Sequence, residues 1–503
     1  MTAITHHFDL RSLPGDPGEK TALLVNPPVY DTQYWAEWSQ PYGLLRIGAL
    51  LRWHGYQRLL LYDFMETPSE GKRRVPQQRI NAGESYAKQE EPSRPTRPYV
   101  VEKAGERLEL YKFHFGKPWR HFEEWLSQQG LQGEAGPDEV FISATMTYWW
   151  ESVRDLIARL RLRFPKARII LGGIYPTLVP EHAARHTAPD LVVAGEVAEA
   201  NDLWTDLSLY ERPPAYAVIT PSRGCPYNCA YCAQRAINGN RRTVHFRSPD
   251  DIVAEMRYQY ETYGIRDFAF YADFPLWRFQ DNFRRIEAIV AEKLPFRLYA
   301  PEGFDVRLLS QSQRLLELMK QAGLQKLYLP CESIDEEYVR GLNRNHVKLD
   351  HFVKATRMCA RAGFELRNMD VNGFVMYGLP GESIDSVVKT ALFVSEVTGS
   401  IIPMLFAPVP TSTLYERYLP YFQAHGWDEH LEMLNGKLYP FLAMNEGSLS
   451  DYVDLQRLMY MLNAHYRSQS FRIFGETQVS KSFRENMNNG FKSFVKEKMI
   501  EEQ

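Results

Sequence analysis

The sequence predicts an α/β fold made of two successive parallel sheets followed by a helical end. Short, continuous apolar runs alternate with helix-compatible stretches, first over residues 20–205 and again from Ala217 to about residue 420. Unbroken apolar strands separated by helices indicate parallel sheets covered on both faces. Beyond about residue 420 the alternation stops. Tyr452–Tyr466 carries Leu455, Leu458, Met459, Met461 and Leu462 at amphipathic helical spacing.

The first alternation fits a Rossmann-like, doubly wound sheet. Residues 1–19 are polar and contain Pro14 and Pro17, so they are expected to be a loose leader. Thr21 to Val25 (TALLV) is a strand that stops at Asn26-Pro27-Pro28, where proline cannot donate to a ladder. Leu44, Leu45, Ile47, Leu50 and Leu51 share a helix that ends before Gly55, and Arg58 to Tyr62 (RLLLY) is the second strand. Further strands are expected at Glu139–Ala144, Ala167–Leu171 and Leu191–Ala194. Helices are expected at Glu151–Leu162 and Glu181–His186. A ligand of such a sheet sits outside the carboxyl ends of its strands. Residues 66–98 interrupt the domain with a polar, proline-containing segment that cannot bury much surface, and they read as a loop or lid. Tyr99–Leu131 is richer in aromatic residues and is expected to pack on the domain.

The second alternation spans residues 206–420. Its strands are AVIT from Ala217, DFAFYAD at 267–273, FRLYA at 296–300, KLYLPCES at 326–333, NGFVMYG at 372–378 and PMLFAP at 403–408. Helical stretches such as Asp250–Thr262, Arg314–Ala322 and His351–Ala362 lie between them. Six strand–helix repeats fit a partial or complete β/α barrel of the TIM type, with its chemistry at the strand carboxyl ends. Residues 421–503 complete the chain as a helical C-terminal region.

Composition narrows the function. Lys plus Arg is 59 and Asp plus Glu is 62, a net charge of −3. Such balance gives no global attraction to nucleic acid or to anionic membrane. No apolar stretch reaches the ~18 residues of a membrane span, and the start lacks a signal-peptide pattern. Five cysteines are too few, and odd in number, for a disulfide-built protein. A reducing, cytoplasmic setting is expected, where thiolates hold metal or fill cores.

Three of the five fall in Ser222-Arg223-Gly224-Cys225-Pro226-Tyr227-Asn228-Cys229-Ala230-Tyr231-Cys232. Three thiolates on one loop can hold three irons of a cubane cluster and leave the fourth open. A structural zinc site would want a fourth Cys or His from a second paired motif, and Cys331 and Cys359 form none. Inert core thiols would rarely share one Gly- and Pro-punctuated loop. The loop follows the AVIT strand, which places it at the barrel mouth.

This loop resembles that of the radical S-adenosylmethionine (radical SAM) superfamily, and the resemblance extends over roughly residues 210–420. It implies that Cys225, Cys229 and Cys232 ligate a [4Fe–4S] cluster whose open iron chelates the methionine part of SAM. Reductive cleavage then usually gives a 5′-deoxyadenosyl radical. The resemblance places Tyr231 against adenine and extends to the ends of later strands. Asp273 ends the second strand, Arg307 lies in the third-strand region, and Cys331-Glu332-Ser333 stands where Glu and Ser approach SAM. Val375 and Gly378 belong to a motif that brings backbone near adenine. Pro408-Val409-Pro410-Thr411-Ser412-Thr413-Leu414-Tyr415 departs from the usual glycine-containing ending.

The front half resembles the cobalamin-binding domain that precedes the radical domain in one subgroup. The matching segments are Asn26-Pro27-Pro28, Leu171-Gly172-Gly173-Ile174-Tyr175-Pro176-Thr177 and Asp190 to Glu196. The resemblance leaves two readings open. In one, Asn26, Ser143, Gly172, Gly173, Gly195 and Glu196 hold cobalamin. In the other the domain only closes the barrel mouth, with Tyr148, Trp149 and Trp150 lining the cavity. The histidine motif that coordinates cobalt is missing, which many radical members share. Cys331 and Cys359 are expected in the core, Cys331 with a further role open.

The expected activity is a radical SAM enzyme with one [4Fe–4S] cluster, acting on a small molecule, with cobalamin-assisted methyl transfer ahead of rearrangement, cyclisation or aminocarboxypropyl transfer. A flavodoxin- or ferredoxin-type electron donor is the expected partner, with no nucleic acid. The reading from another class is a non-catalytic ligand sensor, which would show damaged cluster motifs. Multi-cluster relatives are disfavoured, because residues 1–224 and 360–503 contain no cysteine.

Overall fold

The computed structural model describes residues 2–33, 38–66, 88–92, 98–272 and 279–468. Six strands form the front sheet: β1 (Ala3–Thr5), β2 (Thr21–Asn26), β3 (Arg58–Asp63), β4 (Glu139–Ser143), β5 (Arg168–Gly172) and β6 (Leu191–Val193). Their order is β1-β6-β5-β4-β2-β3, and every neighbouring pair is parallel. Strand periodicity sends alternate residues to opposite faces. Leu24, Phe141, Ile170 and Val193 join one core cluster, with Leu44, Leu45 and Leu51 of helix α1 (Tyr42–Trp53). Leu23, Ile142, Leu171 and Val192 join the other, with Val153, Leu156 and Leu160 of helix α2 (Trp150–Arg163).

From β2 the chain passes to β3 on one side and returns to β4 on the other. The switch point therefore lies between Asn26 and Ser143, which end β2 and β4.

The leader is not loose. Ala3–Thr5 pairs with β6 along the sheet edge, and Leu10 and Leu13 are buried. A short edge strand has one face of partners to satisfy, so its sequence need not be apolar. Of the 66–98 loop, residues 67–87 and 93–97 lie outside the described residues. Tyr99–Lys103 and Glu106–Leu110 form an antiparallel hairpin. Its tight turn at Ala104-Gly105 has φ of 51° and 86°. Lys103 Nζ donates to the Leu442 and Asn445 carbonyls, which ties the hairpin to the C-terminal region.

The second sheet is β7 (Ala217–Ile219), β8 (Asp267–Phe270), β9 (Arg297–Tyr299), β10 (Leu324–Glu332), β11 (Val371–Tyr377) and β12 (Ile401–Leu405). All neighbours are parallel and in sequence order. Helices α3 (Pro249–Tyr263), α4 (Leu349–Arg361) and α5 (Ile384–Thr398) cross over between strands. Ser248 caps α3 by accepting from Asp251 N–H, and Gly264 ends it in the left-handed conformation at φ 71°. This is a partial barrel with β7 and β12 as its edges.

Among the described residues the last helix is α6 (Leu449–Ser468), which packs on α5 and β12, and residues 469–503 of the expected helical region lie outside the described residues. No helix among the described residues is long and apolar enough to cross a membrane.

Candidate active site

The cysteine loop starts where β7 ends. Ser222–Arg223 pairs antiparallel with His245–Phe246. Gly224 follows at φ 103°, where an added Cβ would stand 2.5 Å from the Thr243 carbonyl oxygen. Only glycine makes this turn. Cys225, Cys229 and Cys232 then lie on the irregular stretch before the short helix Gln234–Ile237. Cys229 is buried, Cys225 half-buried and Cys232 exposed.

The loop is anchored by backbone from two distant segments. Ala230 N–H donates to the Leu342 carbonyl at 2.8 Å, and the Ala230 carbonyl accepts from Leu414 N–H at 2.7 Å. Leu414 belongs to the variant Pro408–Tyr415 segment. There Thr411 takes φ 69°, and Ser412 caps the helix Thr413–Ala424. The departure from glycine therefore still makes the left-handed turn.

Glu332 ends β10 at φ 65°, where the register with β11 shifts. A non-glycine residue held there stores on the order of 1 kcal/mol of strain, which surroundings must compensate. Arg344 is that surrounding. Its Nη2 lies 3.1 Å from Glu332 Oε1, and its Nη1 donates to Tyr231 Oη and stands 3.8 Å from Cys229 Sγ. Burial raises the Glu332 carboxyl above its usual range, and the Arg344 charge opposes this. Burial likewise raises the Cys229 thiol, again against Arg344. Arg344 was not anticipated. In the sequence it is one of many arginines, and only the fold brings it to the cysteine loop.

The other anticipated residues are distributed as follows. Arg307 Nη2 donates to Tyr227 Oη at 2.7 Å, and its partner acid is Asp305 at 3.6 Å, so it braces the cysteine loop. Tyr227 also stacks on His346 with ring centroids 3.6 Å apart. Ser333 is buried and accepts from Asp335 N–H through its hydroxyl, holding the turn after β10. Val375 is buried in β11. Gly378 follows it at φ 83° and donates its N–H to Glu382 Oε2 at 2.9 Å. Burial pushes the Glu382 carboxyl up to about 8, against the Gly378 and Leu379 N–H groups. Asp273 lies outside the described residues. Cys331 and Cys359 are buried in the core.

A cavity of about 670 Å³ runs from the switch point of the front sheet to the barrel mouth. Asn26, Ser143, Gly172, Gly173, Gly195 and Glu196 all line it, with Arg223, Tyr271 and Glu302 from the barrel side. Asn26 is held by its side-chain donation to Asp63 at 2.7 Å. Asp63 also accepts from Tyr210 Oη at 2.9 Å, and its burial pushes it up to about 6 despite these bonds. Glu196 binds Arg223 at 3.3 Å and Arg241 at 2.8 Å, which ties the front sheet to the strand before the cysteines. Gly173 has φ 104°, and a Cβ there would stand 2.3 Å from the Ala144 carbonyl oxygen. Of the aromatic triplet, Trp149 lines the cavity and donates to Asp31 at 2.8 Å. Trp150 instead donates to Glu432 at 2.8 Å in the buried seam with the C-terminal region.

Known proteins resemble parts of this chain. Residues 219–394 match the family model of the Radical SAM superfamily. An uncharacterised methyltransferase of Pyrococcus horikoshii is 23% identical over 208 residues, covering 40% of this chain and 41% of that protein. The hopanoid C-2 methylase of Rhodopseudomonas palustris is 23% identical over 212 residues, covering 40% of this chain and 37% of that protein. The chain thus spans about two fifths of these curated relatives. The radical SAM methyltransferase TsrM of Kitasatospora setae, solved with a tryptophan substrate and a SAM analog, shares the fold. Its TM-score is 0.55 at 13% identity, covering 80% of this chain and 76% of that one. With the cysteine loop at the first strand end of a six-stranded parallel barrel, residues 219–394 of this chain are a radical SAM domain.

Proposed function

We propose that the chain is a radical SAM methyltransferase that binds cobalamin and methylates a small molecule. The observation that carries this reading is the single cavity shared by the switch point of the front sheet and the barrel mouth. The methyltransferase names of its relatives support it.

The residues suit the cofactors. Among the described residues no three His, Cys, Asp or Glu side chains converge on a single-ion site. Cubane thiolates each bind a different iron, so they need not converge on one ion. Gly172 leaves space at the cavity wall, where a Cβ would touch nothing nearer than 3.9 Å. When bound, the [4Fe–4S] cluster supplies the electron that cleaves SAM and cobalamin supplies a methyl carrier.

The protein's own residues bind and orient. Cys225, Cys229 and Cys232 hold the irons. Arg344 and Glu332 present a cation and a carboxylate beside that loop, which suit the carboxylate and ammonium ends of SAM's methionine. Tyr231 and the backbone at Val375 and Gly378 face its adenine. Asn26, Ser143, Gly172, Gly173, Gly195 and Glu196 hold the corrinoid. Apolar walls exclude water, which would quench a radical. A low-potential flavodoxin- or ferredoxin-type protein delivers the electron.

Anaerobically reconstituted protein tests this with SAM and a chemical reductant. The expected outcome is about four irons per chain, a corrinoid absorption spectrum, and S-adenosylhomocysteine or 5′-deoxyadenosine among the products. SAM cleavage with no corrinoid uptake overturns the methyl-transfer reading. Iron retained by the combined Cys225→Ala, Cys229→Ala and Cys232→Ala variant overturns the cluster assignment.

A further inference from the structure

Arg46 is a buried cation that the reading above leaves unused. It lies on the second turn of α1, is 4% exposed and lines the cavity. Its Nε has no hydrogen-bond partner, and among the described residues its guanidinium joins no ion pair. The acid that most favours its charge, Glu255, is already engaged by Arg247 Nη1 at 2.7 Å and by Thr205 N–H at 3.0 Å. Arg247 and Arg223 add like charge nearby, and burial pulls Arg46 down to about 10. No side chain caps the first turn of α1, and at Gly43 in that turn a Cβ would meet nothing within 4 Å. Tyr42 and Gly43 of the same turn line the same cavity.

An unpaired buried guanidinium destabilises a fold. Proteins retain such groups where a ligand offsets the cost. Arginine suits planar oxyanions through its forked donors, and an open helix start adds N–H donors and a favourable dipole.

We propose that Arg46 and the uncapped start of α1 bind an oxyanion, carboxylate or phosphate, carried by the molecule that fills the cavity. The proposal deepens the functional reading above and takes the cavity's use from it. The anion has two possible sources: an acidic group on the substrate, or the phosphodiester in a corrinoid's nucleotide tail. Of the two carboxylates that line the cavity, Glu196 and Glu302, the first is neutralised by Arg223 and Arg241 and so does not oppose an anion.

The test compares wild type, Arg46→Met and Arg46→Lys, each reconstituted with iron and sulfide and kept free of corrinoid. Thermal unfolding is followed in inorganic phosphate and in chloride at matched ionic strength. Phosphate stabilises any protein somewhat by exclusion, so the difference between variants is the readout. Wild type is expected to gain more than Arg46→Met, with Arg46→Lys between them. In chloride, Arg46→Met should unfold no lower than wild type. An identical phosphate response in all three overturns the proposal. So does a loss of stability in chloride that Arg46→Lys restores without restoring a phosphate response. Should Arg46→Met fail to fold, Arg46→Lys decides: its phosphate constant should weaken by at least about tenfold, the worth of one charge-assisted hydrogen bond.

Hydroxocobalamin and dicyanocobinamide, which lacks the nucleotide tail, separate the sources. Weakened binding of hydroxocobalamin alone to Arg46→Met assigns the anion to the tail. Unchanged binding of both, with the phosphate response lost, assigns it to the substrate. Equal weakening of both overturns the proposal, since it marks contact with the ring. An Arg46-dependent phosphate response in a protein that cleaves no SAM would sink the functional reading and leave this site standing.

Discussion

The side-chain amide of Gln40 hydrogen-bonds the backbone of Tyr216 as another strand would. Its Nε2 donates to the Tyr216 carbonyl at 3.0 Å, and its Oε1 accepts from the next outward N–H, Val218, at 2.9 Å. At the opposite edge of the barrel sheet Asn463 does the same for Ile401, with both bonds at 2.7 Å. An open parallel barrel leaves unpaired backbone on two edge strands. Here one carboxamide from the front domain and one from the C-terminal helix close them.

Gln40→Leu and Asn463→Leu should therefore each destabilise the protein. Each removes both bonds of its carboxamide to the edge strand, at roughly 1–3 kcal/mol per variant. The two sites are at opposite edges, so the effects should add. Urea unfolding midpoints check both, and a double variant no worse than either single one would contradict the account.

Asp31 joins three regions of the chain. Fully buried, it accepts from Trp149 Nε1 at 2.8 Å, Asn435 Nδ2 at 3.0 Å and Lys437 Nζ at 2.9 Å. Asp31→Ala removes the acceptor shared by these three donors and leaves Lys437 Nζ with the Gln33 carbonyl, and should cost roughly 1–3 kcal/mol. Asp31→Asn, which keeps one acceptor, should cost less. Calorimetric unfolding of the two variants gives the ranking.

Glu382 predicts a pH dependence. Its folded pKa is raised from 4.5 to about 8, so its contribution to stability is complete below 4.5 and is lost as pH rises through about 8. Glu382→Gln cannot ionise, and its carbonyl can still accept from Gly378 N–H. Between pH 5 and 8 the variant should gain stability relative to wild type as pH rises. Parallel stability curves would refute the raised pKa.

Gly173→Ala should destabilise the front domain by more than the ~1 kcal/mol of a mere left-handed penalty. Its Cβ would strike the Ala144 backbone, which cannot swing aside as a side chain would. Gly172→Ala, adjacent but with open space, should leave stability nearly unchanged and weaken corrinoid uptake. Unfolding and absorption titrations separate the two.

Arg344→Lys keeps a charge but loses the fork that reaches Glu332, Tyr231 and Cys229 together. The SAM KM should rise by about tenfold, the worth of one charge-assisted bond, with iron content unchanged. Loss of iron would instead make Arg344 a support of the cluster loop.

Local chemistry made much of this legible in the sequence. Two runs of apolar strands and helices announced two parallel sheets, because burial on both faces leaves a composition signal. The C-x3-C-x2-C spacing announced the loop, because three thiolates so close on one short segment suit the irons of a single cluster. Gly172, Gly173 and Asn26 stood out because close approach and strand endings restrict residue type. What the sequence by itself determined was therefore the two parallel sheets, their order along the chain and the cysteine loop.

Tertiary structure alone decided what faces what. It turned the polar leader into an edge strand, since an edge needs backbone pairing more than apolar side chains. It brought Arg344 to Glu332 and Gln40 to β7, contacts between residues whose types are common on any surface. It left Arg46 Nε without a partner among the described residues, in the shared cavity. Long-range polar contacts leave no periodicity, because each depends on one pairing in space rather than on a repeated face.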